Sequence, residues 1–200
     1  MVKSNSFHHG DLKRTLLDVA VSLLDQHGVS GVTIRAMARS AGVSHSAPVN
    51  HYKDRRALLT AIAQSQFETI LKEIETALRK TPTEQKDRKD RVNVFANTMM
   101  DFGFRYPYRY QLLWRSDLID HEDPALLVVM DSVYEKLCDE IEHAVPRATV
   151  DKDTVAVAFW SMIHGYIDMR LSGMFSPVDD TVTDRPRRHA MLELFLTVLR

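Results

Sequence analysis

The chain predicts an all-α fold: an N-terminal three-helix head containing a helix-turn-helix, joined by a long helix to a C-terminal helical domain. Three observations carry that prediction. Apolar residues recur at spacings of three and four along most of the chain, the period of an amphipathic helix. Cap residues (Thr33, Ser44, Asp54, Asp123) and terminators (Gly28, Gly42, Pro146) bracket those runs. Charge is split, with eight Lys/Arg against four Asp/Glu in residues 1–60 and eighteen against twenty-three in the remainder. A basic end that attracts phosphate and an acidic end that keeps the chain dispersed suit a nucleic-acid-binding head.

Residues 1 to about 9 have no periodicity and read as a loose arm. Lys3, His8 and His9 suit phosphate or a minor groove, with a tail of no role as the alternative. Asp11 to His27 forms the first helix, its stripe running through Leu12, Leu16, Leu17, Ala20 and Leu24, and Gly28 ends it. Thr33 caps a short helix with Ile34, Met37, Ala38 and Ala41 on one face, and Gly42 turns the chain out of it. Ser44 is expected to cap a second short helix that presents His45, Ser46, Ala47 and Asn50 outward. Pro48, at the fourth position of that helix, should tighten or bend its first turn because it has no N–H to give.

Asp54 then caps a long helix to about Lys80, and Thr81 to Asp90, with Pro82 and dense charge, reads as a turn. Further helices are expected over Arg88–Arg105, from Pro107 and Tyr108 to about Ser116, over Pro124–Ala144, over Asp153–Gly173 and over Arg185–Arg200. Ser176 to Asp184 has loop composition. The helix from Asp153 is apolar around most of its circumference and needs neighbours on several sides, one of them a second copy of the chain. The boundary falls at 57/58, between a helix-turn-helix head, 1–57, and a helical domain, 58–200, to which the family resemblance given below assigns ligand binding and dimerisation.

Two groups of side chains follow from this placement. His45, Ser46 and Asn50 are candidates for base edges, with Ala47 and Pro48 near enough for a thymine methyl. Thr33, Arg35, His51, Lys53 and Arg55 are candidates for phosphate. Cys138 stands alone, which excludes an internal disulfide, and its helical neighbours Tyr134, Leu137 and Ile141 make it a buried thiol. No run of eighteen apolar residues and no greasy N-terminal region occurs, so a cytoplasmic chain is expected and membrane insertion is not. No nucleotide-binding glycine loop, nucleophile elbow or metal-ligand cluster is present, and no cofactor is implied. His121-Glu122-Asp123 is the nearest catalytic candidate, and a turn followed by a helix cap accounts for it.

Residues Gly10 to about Leu59 resemble the DNA-binding domain of TetR-family transcriptional regulators. The first helix ends Gln-His-Gly, Val-Thr-Ile-Arg-Ala-Met-Ala-Arg-Ser-Ala-Gly-Val-Ser follows, and His-Tyr-Lys-Asp-Arg-Arg-Ala-Leu-Leu closes the stretch. The family usually has tyrosine at Val49, phenylalanine at Tyr52 and lysine at Arg55; valine removes a hydroxyl that in relatives touches a phosphate. Trp160-Ser-Met-Ile-His164-Gly165 resembles the Trp, His-Gly signature of one subgroup of C-terminal domains. The resemblance implies a homodimeric repressor of double-stranded DNA, dimerised through its last two helices, with the connecting helix transmitting ligand state. It also implies a small apolar or aromatic effector, for which Phe95, Met99, Phe102, Trp114, Tyr134, Trp160 and His164 are candidate pocket residues or simply core. For His164 the other reading is a satisfied core histidine. A helical protein-interaction adaptor is the alternative function, and it leaves the basic head unexplained.

Overall fold

Gly28 sets the first corner of the chain. The structure, a computed structural model, describes residues 9–84, 88–145 and 150–198. In α1 (His9–Gly31) Gly28 alone leaves helical geometry, at φ 64° and ψ −173°, so the expected end of the first helix becomes a break followed by one more turn. Glycine tolerates that φ where a side chain would be strained, while the Tyr108 ring, 3.5 Å from where a Cβ would project, stands at ordinary packing distance. Of the expected arm, Lys3 and His8 lie outside the described residues, and His9 opens α1.

Helix α2 (Ile34–Ser40) has the predicted cap, the Thr33 hydroxyl accepting the Ala36 N–H at 3.0 Å. Its end is glycine-made: Gly42 takes φ 67°, and the N–H of Val43 reaches back to the Ala38 carbonyl at 3.1 Å. A single 3-10 turn (Pro48–Asn50) follows, then α3 (Arg55–Arg79), α4 (Arg88–Arg105), α5 (Pro107–Leu113), α6 (Pro124–Ala144) and α7 (Lys152–Leu171). Strands β1 (Asp179–Asp180) and β2 (Arg185–Pro186) and helix α8 (Arg187–Val198) complete the order. Asp54 caps α3 by accepting the Ala57 N–H at 2.8 Å, and Asp123 caps α6 through the N–H groups of Ala125 and Leu126.

Three expected boundaries move. Helix α7 starts at Lys152 because Asp151, not Asp153, is its cap, accepting both the N–H and the hydroxyl of Thr154 at 2.8 Å. These bonds hold the Asp151 carboxyl below its ordinary pKa. The expected loop before the last helix holds a hairpin, antiparallel with Asp179 opposite Pro186 and Asp180 opposite Arg185. Arg185 and Pro186 are therefore strand, and α8 opens at Arg187. Pro146 lies outside the described residues.

The chain forms two compact units. One holds the described residues up to Gln66 together with Tyr108–Val128, the other Phe67–Pro107 together with Val129 onward. In the first, Leu16, Leu24, Met37, Leu58 and Ile62 are wholly buried around the α1–α2 packing. Helix α5 and the loop after it belong here. Arg109 makes a two-pronged bond to Asp25 of α1 and a third bond to Gln66, while Arg56 and Thr60 hold the backbone of Ile119 and Asp120. In the second unit α4 packs on α7 and α8 over Phe95, Phe102, Phe159 and Ile167. One ion pair is embedded in it: Arg91 meets Glu140 through two bonds of 2.7 Å and also donates to the carbonyls of Leu78 and Thr81. The bond to Glu140 raises the Arg91 pKa, keeping its charge fixed.

Candidate nucleic-acid interface

The segment after Gly42 is not the regular second helix that the Ser44 cap predicts. Residues 45–47 form a turn and Pro48–Asn50 a 3-10 turn, and Ser44 shares its hydroxyl with Ser46 at 3.3 Å instead of capping. Proline is the physical cause. Pro48 offers no N–H to the Ser44 carbonyl, which takes the Ala47 N–H at 3.1 Å, one residue closer than in an α-helix. The Pro48 carbonyl then receives the N–H groups of both His51 and Tyr52, at 3.0 and 2.9 Å. The expected tightening at Pro48 thus extends through the whole segment.

From this turn His45, Ser46 and Asn50 face solvent, and Ala47 is half-buried. Pro48 corrects the reading that gave it a thymine methyl: its ring is buried under the turn, because the 3-10 geometry rotates it into the core. Val49 is exposed by half its surface in its place. Around this face lie Arg35, exposed on α2, and Lys53, exposed before α3, with Thr33 and His51 half-buried. Arg35 donates from Nε to the Nε2 of His45 at 3.1 Å, so a candidate phosphate contact orients a candidate base contact.

Arg55 is the second correction. Its guanidinium turns inward, Nε donating to the Val32 carbonyl at 2.7 Å and Nη2 to the Val29 carbonyl at 2.6 Å. The Val29 carbonyl also takes the Val32 N–H at 3.2 Å, and Arg55, at the first turn of α3, adds a charged donor to each of the two carbonyls. It ties the corner between α1 and α2 instead of meeting phosphate.

At Tyr52, where the family usually has phenylalanine, the hydroxyl has a role that the sequence did not show. Its ring is buried and its hydroxyl donates to the Lys13 carbonyl at 3.3 Å, fixing the end of the 3-10 turn to α1. Burial, and then the Asp18 charge, raise its pKa, so it stays a donor. Its polar neighbours in sequence, His51 and Lys53, gave no hint of a partner thirty-nine residues away. Next to it a cleft of about 350 Å3 is lined by Lys13, His51, Lys53 and Arg56.

The candidate pocket residues divide. Trp160 lies 6.4 Å from Phe95, 6.2 Å from Tyr134 and 4.6 Å from His164 between ring centres, and Met99 and Phe102 are wholly buried on α4 beside Phe95. Trp114 is not among them. It follows α5 into the unit that holds the head, edge-on to Tyr110 at 5.9 Å and partly exposed. Burial lowers the His164 pKa to about 4, so its imidazole is neutral at pH 7. Cys138 is buried with its thiol pKa raised, as a structural cysteine would be. In the His121 segment, Asp123 is occupied as the α6 cap.

Comparison with known proteins shows the family. Residues 16–62 match the family model of bacterial regulatory proteins, tetR family, and residues 92–195, more than half of the chain, match the tetracyclin repressor-like C-terminal domain. An uncharacterized HTH-type transcriptional regulator, Rv0681 of Mycobacterium tuberculosis, is 23% identical over 177 residues, 84% of this chain and 73% of its own. The class A tetracycline repressor from transposon 1721 in Escherichia coli is 39% identical over 53 residues, 26% of this chain and 24% of its own. A solved structure from Rhodococcus sp. RHA1, of unknown function, superposes with a TM-score of 0.79 at 25% identity, covering 98% of this chain and 99% of that one.

Proposed function

The chain belongs to the TetR family, DNA-binding transcriptional regulators that act as dimers, and from that premise we propose that it is a ligand-responsive repressor that binds a near-palindromic operator as a homodimer. One observation carries the reading: His45, Ser46 and Asn50 stand exposed on a backbone fixed by Pro48 and Tyr52, with Arg35 and Lys53 beside them. Short polar side chains on a rigid support are what base-edge hydrogen bonds require. In this reading His45, Ser46 and Asn50 read bases, Ala47 meets a thymine methyl, and Thr33, Arg35, His51 and Lys53 hold phosphate.

Dimerisation is assigned to α7 and α8. Val157 and Leu194 are more than half exposed on them, apolar surface that a second copy would cover. Two heads related by a two-fold axis then meet successive major grooves, roughly 34 Å apart or somewhat more. An apolar or aromatic effector is assigned to the Trp160 cluster, with neutral His164 offering a hydrogen bond in place of a charge. Such a ligand changes DNA affinity only if it binds the two head spacings unequally.

The test is selection of bound duplexes from random DNA by the purified protein at two salt concentrations. The expected outcome is a palindromic motif whose affinity falls steeply with salt. In that motif Asn50→Ala should relax preference at particular positions, at about 1–3 kcal/mol for each lost base pairing. Lys53→Ala should weaken all sequences alike and reduce the salt slope by about one. A bound motif without two-fold symmetry would overturn the dimeric-operator reading.

A further inference from the structure

The bond between Arg35 of α2 and His45 of the turn after it does more than orient the ring: it fixes where the ring carries its proton. Nε of Arg35 donates to Nε2 of His45 at 3.1 Å. A guanidinium has no lone pair to offer and does not lose its charge, so the imidazole is the acceptor. A ring that accepts at Nε2 is neutral and carries its proton on Nδ1, because the bond made at one nitrogen sets the state of the other. The one lone pair of the ring is thereby consumed. His45 is left with a single N–H donor, and Arg35 sets further N–H donors and a positive charge beside it. Both side chains are exposed, on the face where Ser46 and Asn50 also stand. The backbone beneath His45 is closed by the Ala47 N–H on the Ser44 carbonyl at 3.1 Å.

We propose that His45, held in its Nδ1–H form by Arg35, reads guanine in the operator, with Arg35 as its positioning residue. The bases differ in what they show in the major groove. Guanine shows two acceptors, N7 and O6; adenine shows an acceptor beside an amino group, thymine an acceptor beside a methyl, and cytosine an amino group alone. A pair that carries donors and a charge but no acceptor matches guanine, and it meets a like donor on cytosine and on adenine. Without Arg35, His45 has one donor and one acceptor, and the acceptor admits an amino group. Discrimination at this position therefore belongs to the pair and not to His45 alone. The inference rests on the reading of His45 as a base contact, and adds to it the base that is read and the residue that selects it.

Two measurements on the full-length protein test it, and the first needs no DNA. The imidazole nitrogen resonances of the isotope-labelled protein are recorded at about pH 8, where an ordinary histidine is neutral, with His45 assigned by its loss in His45→Ala. Wild type should show His45 protonated at Nδ1, and Arg35→Ala should return it to the Nε2–H form that a free imidazole prefers. An Nε2–H ring in wild type, or an Nδ1–H ring that survives Arg35→Ala, overturns the proposal. The second measurement is selection of bound duplexes by wild type and by each variant; both side chains are exposed, so the fold is kept. Guanine is expected at the position whose preference His45→Ala erases. Arg35→Ala should lower the preference for guanine over cytosine there by about fivefold, beyond any loss shared by all sequences. Another base at that position, or an Arg35→Ala effect equal for every sequence, overturns the inference and leaves Arg35 a phosphate contact only. If no motif is selected, the operator reading falls and the guanine assignment with it; an Nδ1–H ring then places the failure in that reading and not in the Arg35–His45 bond.

Discussion

His45, Ser46 and Asn50 reach solvent from two consecutive turns, whereas Val157 and Leu194 reach it from regular helices. The first surface is small, polar and held by an irregular backbone; the second offers one large apolar side chain from each of α7 and α8. The units behind them differ in the same sense. Beside the Arg109–Asp25 ion pair, the head carries many single bonds that close backbone groups: Thr33 on Ala36, Asp54 on Ala57, Tyr52 on Lys13, and Arg55 on Val29 and on Val32. In the C-terminal unit a buried ion pair, Arg91 with Glu140, joins α4 to α6 and the end of α3 amid apolar packing. A surface that must place individual donors and acceptors needs its backbone pinned at many points. Association through area needs only helices that stay straight.

Breaking the concentrated contact should have the largest effect. Arg91→Ala leaves Glu140 buried and unpaired, its side chain 8% exposed, and should lower stability by about 3–5 kcal/mol in urea unfolding. Glu140→Gln with Arg91 retained should cost less, because the amide keeps one acceptor for the guanidinium. Next in size, Val157→Asp with Leu194→Asp should weaken the proposed dimer at least a hundredfold, about 3 kcal/mol, in sedimentation analysis. The variant should keep its helicity, as both positions are exposed in one chain. A dimer that survives both charges would move the association surface elsewhere.

The distributed contacts predict smaller numbers. Arg55→Ala should cost about 2 kcal/mol of stability, the worth of charged bonds to two carbonyls, and leave the salt slope of DNA binding unchanged. A slope flattened by one would return Arg55 to phosphate. The most gradual effect is a dependence on pH. His164 binds its proton in the unfolded chain near pH 6.5 but in the fold only near pH 4. Stability is therefore full above pH 6.5 and falls, by about 1 kcal/mol for each unit, as pH drops from 6.5 toward 4. His164→Phe should remove that slope, and a slope equal to wild type would place the titration on another group.

Much of the fold was legible because it is written locally. Thr33, Asp54 and Asp123 act within three residues of themselves, as does the glycine turn at Gly42, so their caps and stops appear as predicted. The boundary at Asp153 was misjudged for a related reason: two aspartates stand two residues apart, and only the bond to Thr154 selects Asp151. Membership of Trp114 could not be read either. Aromatic composition is the same in a core, a pocket and a partly exposed helix end, and the path of α5 into the head unit rests on Arg109 finding Asp25 eighty-four residues away.

The amino-acid sequence by itself determined the helices, their caps, the basic head and the break that Pro48 imposes, because each follows from the conformational preferences of neighbouring residues. Tertiary structure alone decided which way the side chains of that head turn. Pro48 went under the turn, where buried volume had to be filled, and Arg55 into the α1–α2 corner, where two carbonyls receive its guanidinium. His45, Ser46 and Asn50 were left outside because nothing in the core needed them. That sorting depends on groups distant in sequence, and only the folded chain brings them together.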